Sequence, residues 1–339
     1  MKQVSANPTT MKRVNSDATL ATIRQNPGIT KPQIAKALDL SLPTVNKLVA
    51  ELEAQQYVRS GETCESGGGR PARMYYFNEN RNYVVSVYIG GGAYHVSVSN
   101  SEHQVRFYES SPHEAGAAWA EELCALLETV LSRFAEQQIK AIAVAVPGTV
   151  DGGVVYNIPT IPAWEGFDLK GLLEQRFGLT VFVENEIKAA TMGIYDRHAK
   201  DGRIENMVFL YLGTGIGAGI VLNGRLYRSR KNFSGELSFL KTGRGDLEQA
   251  LQHAAHAELL PLCADMLNNI ICVLEPDLIA VACEGLCEAD LEPIRQLLKT
   301  SIAEQYLPEL TLEQVSAQSF TRGLTVSAIA LVDKMLRIV

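Results

Sequence analysis

The sequence predicts an α/β protein in which a small winged helix-turn-helix module precedes a larger module of alternating strands and helices. Three observations lead to this prediction. Apolar residues recur at helical spacing in three short segments between Ser16 and Tyr57, strands alternate with longer helical segments from Tyr83 onward, and the charge changes sign near Arg81. The two modules are therefore expected to differ in partners as well as in fold.

Composition excludes several classes of protein. The chain has 339 residues, of which 46% are hydrophobic and 20% charged, so it is neither disordered nor fibrous. No apolar run approaches the roughly 20 residues of a bilayer span, and residues 1–16 lack the apolar core of a signal peptide. We therefore expect a cytoplasmic protein with no membrane partner. Six cysteines are too few for a disulfide scaffold of this length, so reduced, buried thiols are expected.

The charge is distributed unevenly along the chain. Residues 1–81 contain eleven Lys and Arg against seven Asp and Glu, whereas the remainder is strongly acidic and brings the net charge to -7. A polyanion is attracted to the first part and repelled by the second. The charge pattern therefore favours nucleic acid as the partner of the first module.

The first module reads as three helices. The first runs from about Ser16 to Gln25, the second opens at Thr30 and ends at Leu38, and the third follows almost at once. The apolar stripe of the third helix consists of Val45, Leu48, Val49 and Leu52. The polar residues left free near its N-terminal end, where such a helix enters the major groove, are Thr44, Asn46 and Lys47.

A wing is predicted to follow the third helix. Residues 57–59 and 74–77 are strand-like, and the loop between them contains Gly67-Gly68-Gly69-Arg70-Pro71. The glycines let the backbone approach another surface, and Arg70 can reach phosphates or a minor groove. A flexible interdomain linker is the alternative for this loop. We assign residues 16–77 to a DNA-binding domain.

The larger module alternates β-rich runs with helical segments. Strands are expected over 83–89, 94–99, 141–146, 181–183 and 207–212, and helices over 115–138 and from Ile187. Polar residues and glycines gather where these strands end. Open α/β sheets bind their ligands at such ends, so a ligand site is expected there.

The glycine-rich run 213–219 superficially fits a dinucleotide-binding loop. Such a loop must open a helix, whereas residues 220–222 continue as strand and turn at Asn223-Gly224, so a β-hairpin is predicted instead. The backbone N–H groups of Gly213, Thr214 and Gly215 can bind a phosphate, although glycine hairpins are often merely tight turns.

Five motifs occur in order behind the helix-turn-helix: Ala145-Val146-Pro147-Gly148-Thr149-Val150-Asp151, Trp164-Glu165-Gly166, Glu184-Asn185-Glu186, the run 212–219 and Gly235-Glu236-Leu237. In this set the chain resembles the ROK family of repressors and sugar kinases, among them the xylose and N-acetylglucosamine repressors. The resemblance implies two actin-like α/β lobes, over residues 83–195 and 196–339, with the C-terminal helix able to pack back on the first lobe. It also implies a sugar site in the cleft between the lobes and a homodimer or homotetramer.

The chain departs from the family pattern on the side that binds nucleotide. Kinases of the family have Asp-x-Gly-Gly-Thr where this chain has Tyr88-Ile89-Gly90-Gly91-Gly92, and they have an Asp as catalytic base where it has Glu186. Ala282-Cys283-Glu284-Gly285 replaces the glycine pair near the adenosine. These replacements predict a degenerate kinase domain with no catalytic residues and no cofactor.

The family's zinc motif is also altered. Phe239 stands in place of its His and Asp246 in place of its last Cys, and no Cys or His lies between Gly235 and Glu248. Structural zinc needs about four N or S ligands, so no metal site is expected.

The residues that contact the sugar in the family are better preserved than the nucleotide and zinc motifs. The resemblance assigns sugar contacts to Asn185, Glu186, Glu236 and Glu248, and places Asn157 in the loop that closes on the ligand. For each acid alone, a solvated or helix-capping carboxylate is the plainer interpretation. Phe239 removes one polar contact and adds an apolar face, which suits an unusual sugar, a deoxy or acylated one, or a non-sugar ligand.

These observations favour a transcriptional regulator, a repressor, that binds a palindromic double-stranded DNA operator as an oligomer and senses a sugar or sugar derivative without phosphorylating it. Two alternatives remain: an active sugar kinase with an added DNA-binding domain, and a regulator whose cleft is purely structural.

Overall fold

The computed structural model describes residues 8–64, 71–113, 118–158, 162–213, 215–242 and 245–336. These residues form two compact units, the chain up to Asn82 with Asn100–Glu102, and the remainder. The elements of the first unit are α1 (Pro8–Gln25), β1 (Ile29–Thr30), α2 (Lys31–Leu38), α3 (Leu42–Ala54), β2 (Val58–Cys64) and β3 (Ala72–Phe77).

The first helix begins earlier than the sequence predicted. It starts at Pro8, a residue whose missing N–H costs nothing in a first helical turn, and not near Ser16. Met11 and Val14 in the added segment are largely exposed, so they leave no buried periodic pattern from which to predict a helix. The Lys12 ammonium lies 2.9 Å from the Glu51 carboxylate of α3.

The other two helices agree with the prediction. Gln33 accepts a hydrogen bond from the backbone N–H of Thr30 at 2.8 Å, and the Ser41 hydroxyl accepts one from Thr44 N at the start of α3. Asp39, which lies between α2 and α3, adopts a left-handed backbone conformation that turns the chain sharply from one helix into the other. The predicted apolar stripe of α3 is buried throughout, at Val45, Leu48, Val49 and Leu52.

The predicted wing is present, with strands longer than expected. β2 and β3 pair antiparallel from Val58 opposite Phe77 to Cys64 opposite Ala72, and β1 adds a third strand beside β3. Alternating polar residues hid the outer part of β2 from a search for apolar runs. Arg70 lies outside the described residues.

The second unit begins with one lobe built on a five-stranded sheet of order β11-β7-β4-β5-β6. β4, β7 and β11 are parallel, and β5 and β6 are antiparallel. Strand β6 was not predicted, because its polar, alternately exposed residues lie at the sheet edge. The elements of this lobe are β4 (Tyr83–Gly90), β5 (Ala93–Asn100), β6 (Val105–Pro112), α4 (Trp119–Arg133), β7 (Ile139–Val146), β8 (Thr149–Asp151), β9 (Val154–Tyr156), β10 (Phe167–Asp168), α5 (Leu169–Phe177), β11 (Thr180–Asn185) and α6 (Glu186–His198).

The second lobe is also built on a five-stranded sheet, of order β14-β13-β12-β17-β18, in which β12, β17 and β18 are parallel. The predicted hairpin is confirmed, since β13 pairs antiparallel with β14 across the turn at Asn223-Gly224. β13 also pairs antiparallel with β12, and residues 213–215 separate these two strands, while Gly217 and Gly219 lie within β13. The elements are β12 (Met207–Leu212), β13 (Ile216–Leu222), β14 (Arg225–Leu226), β15 (Lys241–Thr242), β16 (Gly245–Asp246), α7 (Leu247–His253), α8 (His256–Leu274), β17 (Leu278–Cys283), α9 (Leu291–Lys299), β18 (Glu309–Leu312) and the C-terminal α10 (Ala317–Leu336).

Helices α6 and α10 lie between the two sheets and join the lobes. Ala189 and Leu324 belong to a core cluster with the first sheet, while Ile194 and Phe320 belong to a cluster with the second. The helices cross closely enough that a Cβ at Gly323 would lie 1.7 Å from the Ala189 carbonyl oxygen, so glycine is required there. The N-terminus of α6 is thereby fixed at the cleft between the sheets.

Two expectations from composition need qualification. Cys124 and Cys263 are buried, but Cys272 and Cys287 are exposed, because they lie on the outer side of α8 and in a loop rather than in the core. Among the described residues one helix, His256–Leu274, is long and apolar enough to cross a membrane by length and composition. A core helix passes the same test, and Leu259 and Leu267 of this helix are buried against the second sheet, so the observation is weak evidence for a membrane.

Candidate ligand cleft and DNA-binding helix

Residues of both lobes line two adjoining cavities within the second unit. The acidic compartment has a volume of about 260 Å³ and contains all five predicted ligand residues, Asn157, Asn185, Glu186, Glu236 and Glu248. The aromatic compartment has a volume of about 440 Å³, and its walls include Tyr88, His113, Trp164, Tyr211 and Phe320. Both cavities are lined by Glu186, Ile187 and Gly215, which places them side by side.

Asn185 occupies the junction of β11 and α6. Its side-chain oxygen accepts a hydrogen bond from Lys188 N at 3.1 Å and caps the helix, while its amide nitrogen donates to the Gly148 carbonyl at 2.7 Å. Asn185 therefore holds the loop after β7 against the start of α6, in addition to lining the cavity. Its role as a ligand contact stays a prediction.

Glu186 is the first residue of α6 and lines both compartments. Tyr88, at the end of β4, lines the aromatic compartment beside this carboxylate. Burial raises the pKa of Glu186, and the nearby Tyr88 hydroxyl opposes that rise.

Glu236 comes from the second lobe and faces residues of the first. Its carboxylate accepts a hydrogen bond from the Thr149 hydroxyl at 3.5 Å. Burial raises the pKa of Glu236, and the nearby Lys188 ammonium and the Thr149 hydrogen bond oppose the rise. Glu236 is therefore a half-buried carboxylate at which the two lobes meet.

Lys188 is the functional candidate that sequence reasoning missed. Only 3% of it is exposed, it lines the acidic compartment, and its ammonium donates to the Asn232 carbonyl at 2.6 Å. Burial lowers the pKa of Lys188, and the carboxylates of Glu184 and Glu236 oppose that change. A lysine is rarely buried without such partners. The position of Lys188, two residues after the motif Glu184-Asn185-Glu186, was therefore the sequence signal that could have identified it as a buried residue.

The remaining predicted residues also line the acidic compartment. Asn157 adopts a left-handed backbone conformation, and its N–H donates to the Glu165 carboxylate at 2.8 Å. Glu248 lies in the first turn of α7. Phe239 is 57% exposed and packs 5.2 Å from the ring of Phe233, so the mouth of the acidic compartment carries an apolar surface where the resemblance predicted a lost polar contact.

The glycine hairpin has fewer unused backbone N–H donors for a phosphate than its sequence suggested. The Gly213 N–H donates to the Gly215 carbonyl at 3.1 Å, so one of the expected anion donors is already used. Thr214 lies outside the described residues. Phosphate binding by this turn stays a prediction.

No group of three or more His, Cys, Asp or Glu residues within the described ranges is placed to hold a metal ion. Residues 243–244 of the altered zinc motif lie outside those ranges. The expected absence of zinc stays a prediction. About one equivalent of tightly held zinc per chain in purified, tag-free protein would contradict it.

The aromatic compartment is built from stacked rings. Tyr88 stacks on Phe320 with ring centroids 4.1 Å apart, and Trp164 lies 4.1 Å from Trp119 beneath the floor of the cavity. Trp164 is fully buried. Its indole nitrogen and the Nδ1 atom of His113 are buried without a hydrogen-bond partner among the residues the structure describes.

The predicted DNA-binding residues belong to the first unit. Asn46 and Lys47 are exposed on α3, as an unobstructed recognition surface requires. Thr44 is only half-exposed, since its hydroxyl hydrogen-bonds with that of Ser41 at 2.8 Å at the helix start. Base or phosphate contact by these residues stays a prediction.

Each of the two units contains a segment that matches a known protein family. Residues 84–250 match the model of the ROK family, and residues 18–59 match that of winged helix-turn-helix DNA-binding domains. The chain is 28% identical over 239 residues to the xylose repressor of Caldicellulosiruptor bescii, covering 68% of this chain and 59% of that protein. It is also 28% identical over 239 residues to the transcriptional dual regulator NagC of Escherichia coli, covering 68% of this chain and 58% of that one.

Solved structures confirm the predicted fold class. A ROK family transcriptional regulator, homologous to the Escherichia coli MLC protein, superposes with a TM-score of 0.77 at 19% identity, covering 97% of this chain and 99% of the other. Structures of sugar kinases also share the fold of the larger module. The alignments span about three fifths of the curated relatives' own length, so their activities do not transfer to this chain directly.

Proposed function

We propose that this member of the ROK family is a cytoplasmic transcriptional repressor whose DNA binding responds to a sugar or sugar derivative held in the acidic compartment. The observation that carries the proposal is the convergence of the five predicted ligand residues on one cavity, in a chain that also has a winged helix-turn-helix domain. The relatives named as a xylose repressor and as a DNA-binding transcriptional dual regulator support the same class of protein.

The DNA partner is proposed to be a palindromic double-stranded operator. The first unit presents Asn46 and Lys47 on the exposed side of α3, and residues 1–81 carry excess positive charge. A helix placed this way reads base edges, while lysine and arginine neutralise phosphates. A palindromic site requires a two-fold related pair of such domains, so we propose that the chain acts as a homodimer or homotetramer.

The ligand is proposed to be polyhydroxylated and to bridge the lobes. Glu186 lies at the start of α6 in the first lobe, whereas Glu236 and Glu248 belong to the second. Carboxylates accept hydrogen bonds from sugar hydroxyls, and a molecule bound by both groups favours the closed cleft. A ligand shifts an equilibrium only by its differential affinity for the two states, so closure must alter the DNA-binding state.

Sugar phosphorylation is proposed to be lost. Tyr88 stands where the resemblance places the acid that helps to hold the magnesium nucleotide, and its hydroxyl lies beside Glu186. Burial raises the pKa of Glu186. An active sugar kinase with an added DNA-binding domain is the alternative.

Thermal-shift screening against a panel of neutral and phosphorylated sugars tests this proposal, with Glu248→Gln as the variant and Glu258→Gln, which lies outside the cavity, as the matched control. We expect at least one sugar to stabilise wild type and the control but not the variant. Steady release of ADP from ATP with the stabilising sugar would favour the kinase. Stabilisation by no sugar would favour a purely structural cleft.

A further inference from the structure

The aromatic compartment is larger than the acidic one and adjoins it at Glu186, Ile187 and Gly215. Small-molecule pockets measure about 300–1,000 Å³, so the acidic compartment of about 260 Å³ is small by that standard, whereas the two cavities together fall well within it. A ligand bound at the shared Glu186 therefore has room to extend beyond one sugar ring.

The walls of the aromatic compartment suit a flat, uncharged group. Tyr88 and Phe320 stack on each other, and His95 stacks on Tyr88 as well, so these two side chains present mainly their edges to the cavity. Tyr211 lines the cavity from the second lobe. An aromatic ring packs favourably edge to face against such side chains. The apolar wall is continuous with the polar site rather than separated from it.

The charges around this cavity disfavour a phosphate. Glu186 is the charged side chain that lines it, and neither Lys nor Arg occurs among its described lining residues. A phosphate entering from the acidic compartment would pass the Glu186 carboxylate without a cation to neutralise it. The cavity that adjoins the sugar site is therefore matched to a neutral extension.

We infer that the effector is an uncharged glycoside, whose sugar ring lies in the acidic compartment and whose second ring, sugar or aryl, fills the aromatic compartment. This inference rests on the proposed function of the acidic compartment. Phe320 then determines specificity for the second ring and has no part in holding the first.

The test compares methyl and p-nitrophenyl glycosides of the same sugars, in both anomers, together with the matching disaccharides and sugar 6-phosphates. Titration calorimetry with the full chain measures each Kd. Packing of the second ring against the aromatic wall is expected to make the two-ring ligand of at least one sugar bind about tenfold more tightly than its methyl glycoside. In Phe320→Leu this ratio should fall towards one while the Kd of the methyl glycoside stays unchanged. Phe134→Leu, outside both compartments, should keep the wild-type ratio.

The outcomes separate this inference from the function on which it rests. Equal affinity for one-ring and two-ring ligands, or an unchanged ratio in Phe320→Leu, would overturn the inference and leave sugar sensing intact. Tighter binding of the 6-phosphate than of any neutral ligand would overturn it as well. If no member of the panel bound, both the inference and the sugar-sensing proposal would fail.

Discussion

The Tyr88 hydroxyl lies beside the Glu186 carboxylate in the wall of the aromatic compartment, which brings the end of β4 next to the start of α6. The two residues lie at the same edge of the first sheet, because β4, β7 and β11 run parallel. Tyr88 also stacks on Phe320 of the C-terminal helix. One residue therefore connects the wall of the aromatic compartment to the carboxylate that lines both compartments.

Removing the Tyr88 hydroxyl should change the pH dependence of ligand binding. In Tyr88→Phe the ring stack is retained, but the hydroxyl that opposes the rise in the pKa of Glu186 is lost, so that pKa should rise further. If ligand binds the ionised carboxylate, affinity is lost as pH falls through this pKa, and the variant should lose it at higher pH than wild type. Binding titrations across pH measure the shift.

Tyr195→Phe is the matched control, because its hydroxyl donates to the Ile204 carbonyl outside the cavity. It should leave the pH profile of binding unchanged. Superimposable profiles for wild type and Tyr88→Phe would show that the phenol does not influence Glu186.

Glu186→Gln should stabilise the fold near neutral pH while weakening ligand binding. Burial raises the pKa of Glu186, so the folded chain holds its proton more tightly than the unfolded chain does. The carboxyl's contribution to stability is therefore present below the unfolded pKa of about 4.3 and is lost as pH rises through the folded pKa. The melting temperature of the variant should exceed that of wild type near neutral pH, and the difference should shrink in acid. A variant less stable than wild type near neutral pH would contradict this account.

Lys188 and Glu236 should act as a coupled pair. Lys188→Met removes the cation that opposes the rise in the pKa of Glu236 and leaves that carboxylate less well compensated. Adding Glu236→Gln should recover part of the lost stability, so a double-mutant cycle in denaturant should give a coupling of about 0.5–3 kcal/mol. Additive changes in the free energy of unfolding would show that the two groups do not interact.

Loss of a phosphate contact should weaken DNA binding and flatten its salt dependence. Lys47→Ala on the exposed side of α3 and Arg70→Ala in the wing loop should each reduce the slope of log K against log salt by about one, because one fewer counterion is released. Arg13→Ala, an exposed charge on α1, is the matched control for net charge. Operator titrations at several salt concentrations measure the slope. Slopes unchanged in both variants would contradict the proposed docking.

The parts of the fold that the sequence predicted share a strong apolar pattern. The stripe of α3 and the strand Met207–Leu212 agree residue by residue, because apolar periodicity alone specifies them. Strand β6 and the first turns of α1 escaped prediction, because their residues are largely exposed and leave no such pattern. The placement of α6 and α10 between the sheets depends on long-range packing at Gly193 and Gly323, which no local pattern encodes.

The candidate site likewise has one part that the sequence predicted and another part that it did not. The resemblance to the ROK family identified Asn157, Asn185 and the three glutamates, and all five line one cavity. Lys188 was missed because a lysine read from sequence is assigned to the surface. The aromatic compartment was missed because Tyr88, Trp164 and Phe320 are distant in sequence and meet only in the folded chain.

The most direct test of the central claim is an operator titration with and without ligand, in wild type and in Glu236→Gln. The operator is obtained by in vitro selection of DNA bound by the full chain, and the ligand is the sugar that gives the largest thermal shift. We expect the ligand to change the DNA affinity of wild type by about 5- to 150-fold, as a coupling of about 1–3 kcal/mol requires, and to leave that of the variant unchanged. Ligand-free DNA binding should be equal in the two proteins, since the carboxylate acts on the ligand. A wild-type affinity that no bound sugar alters, or a variant that responds as wild type does, would contradict the account.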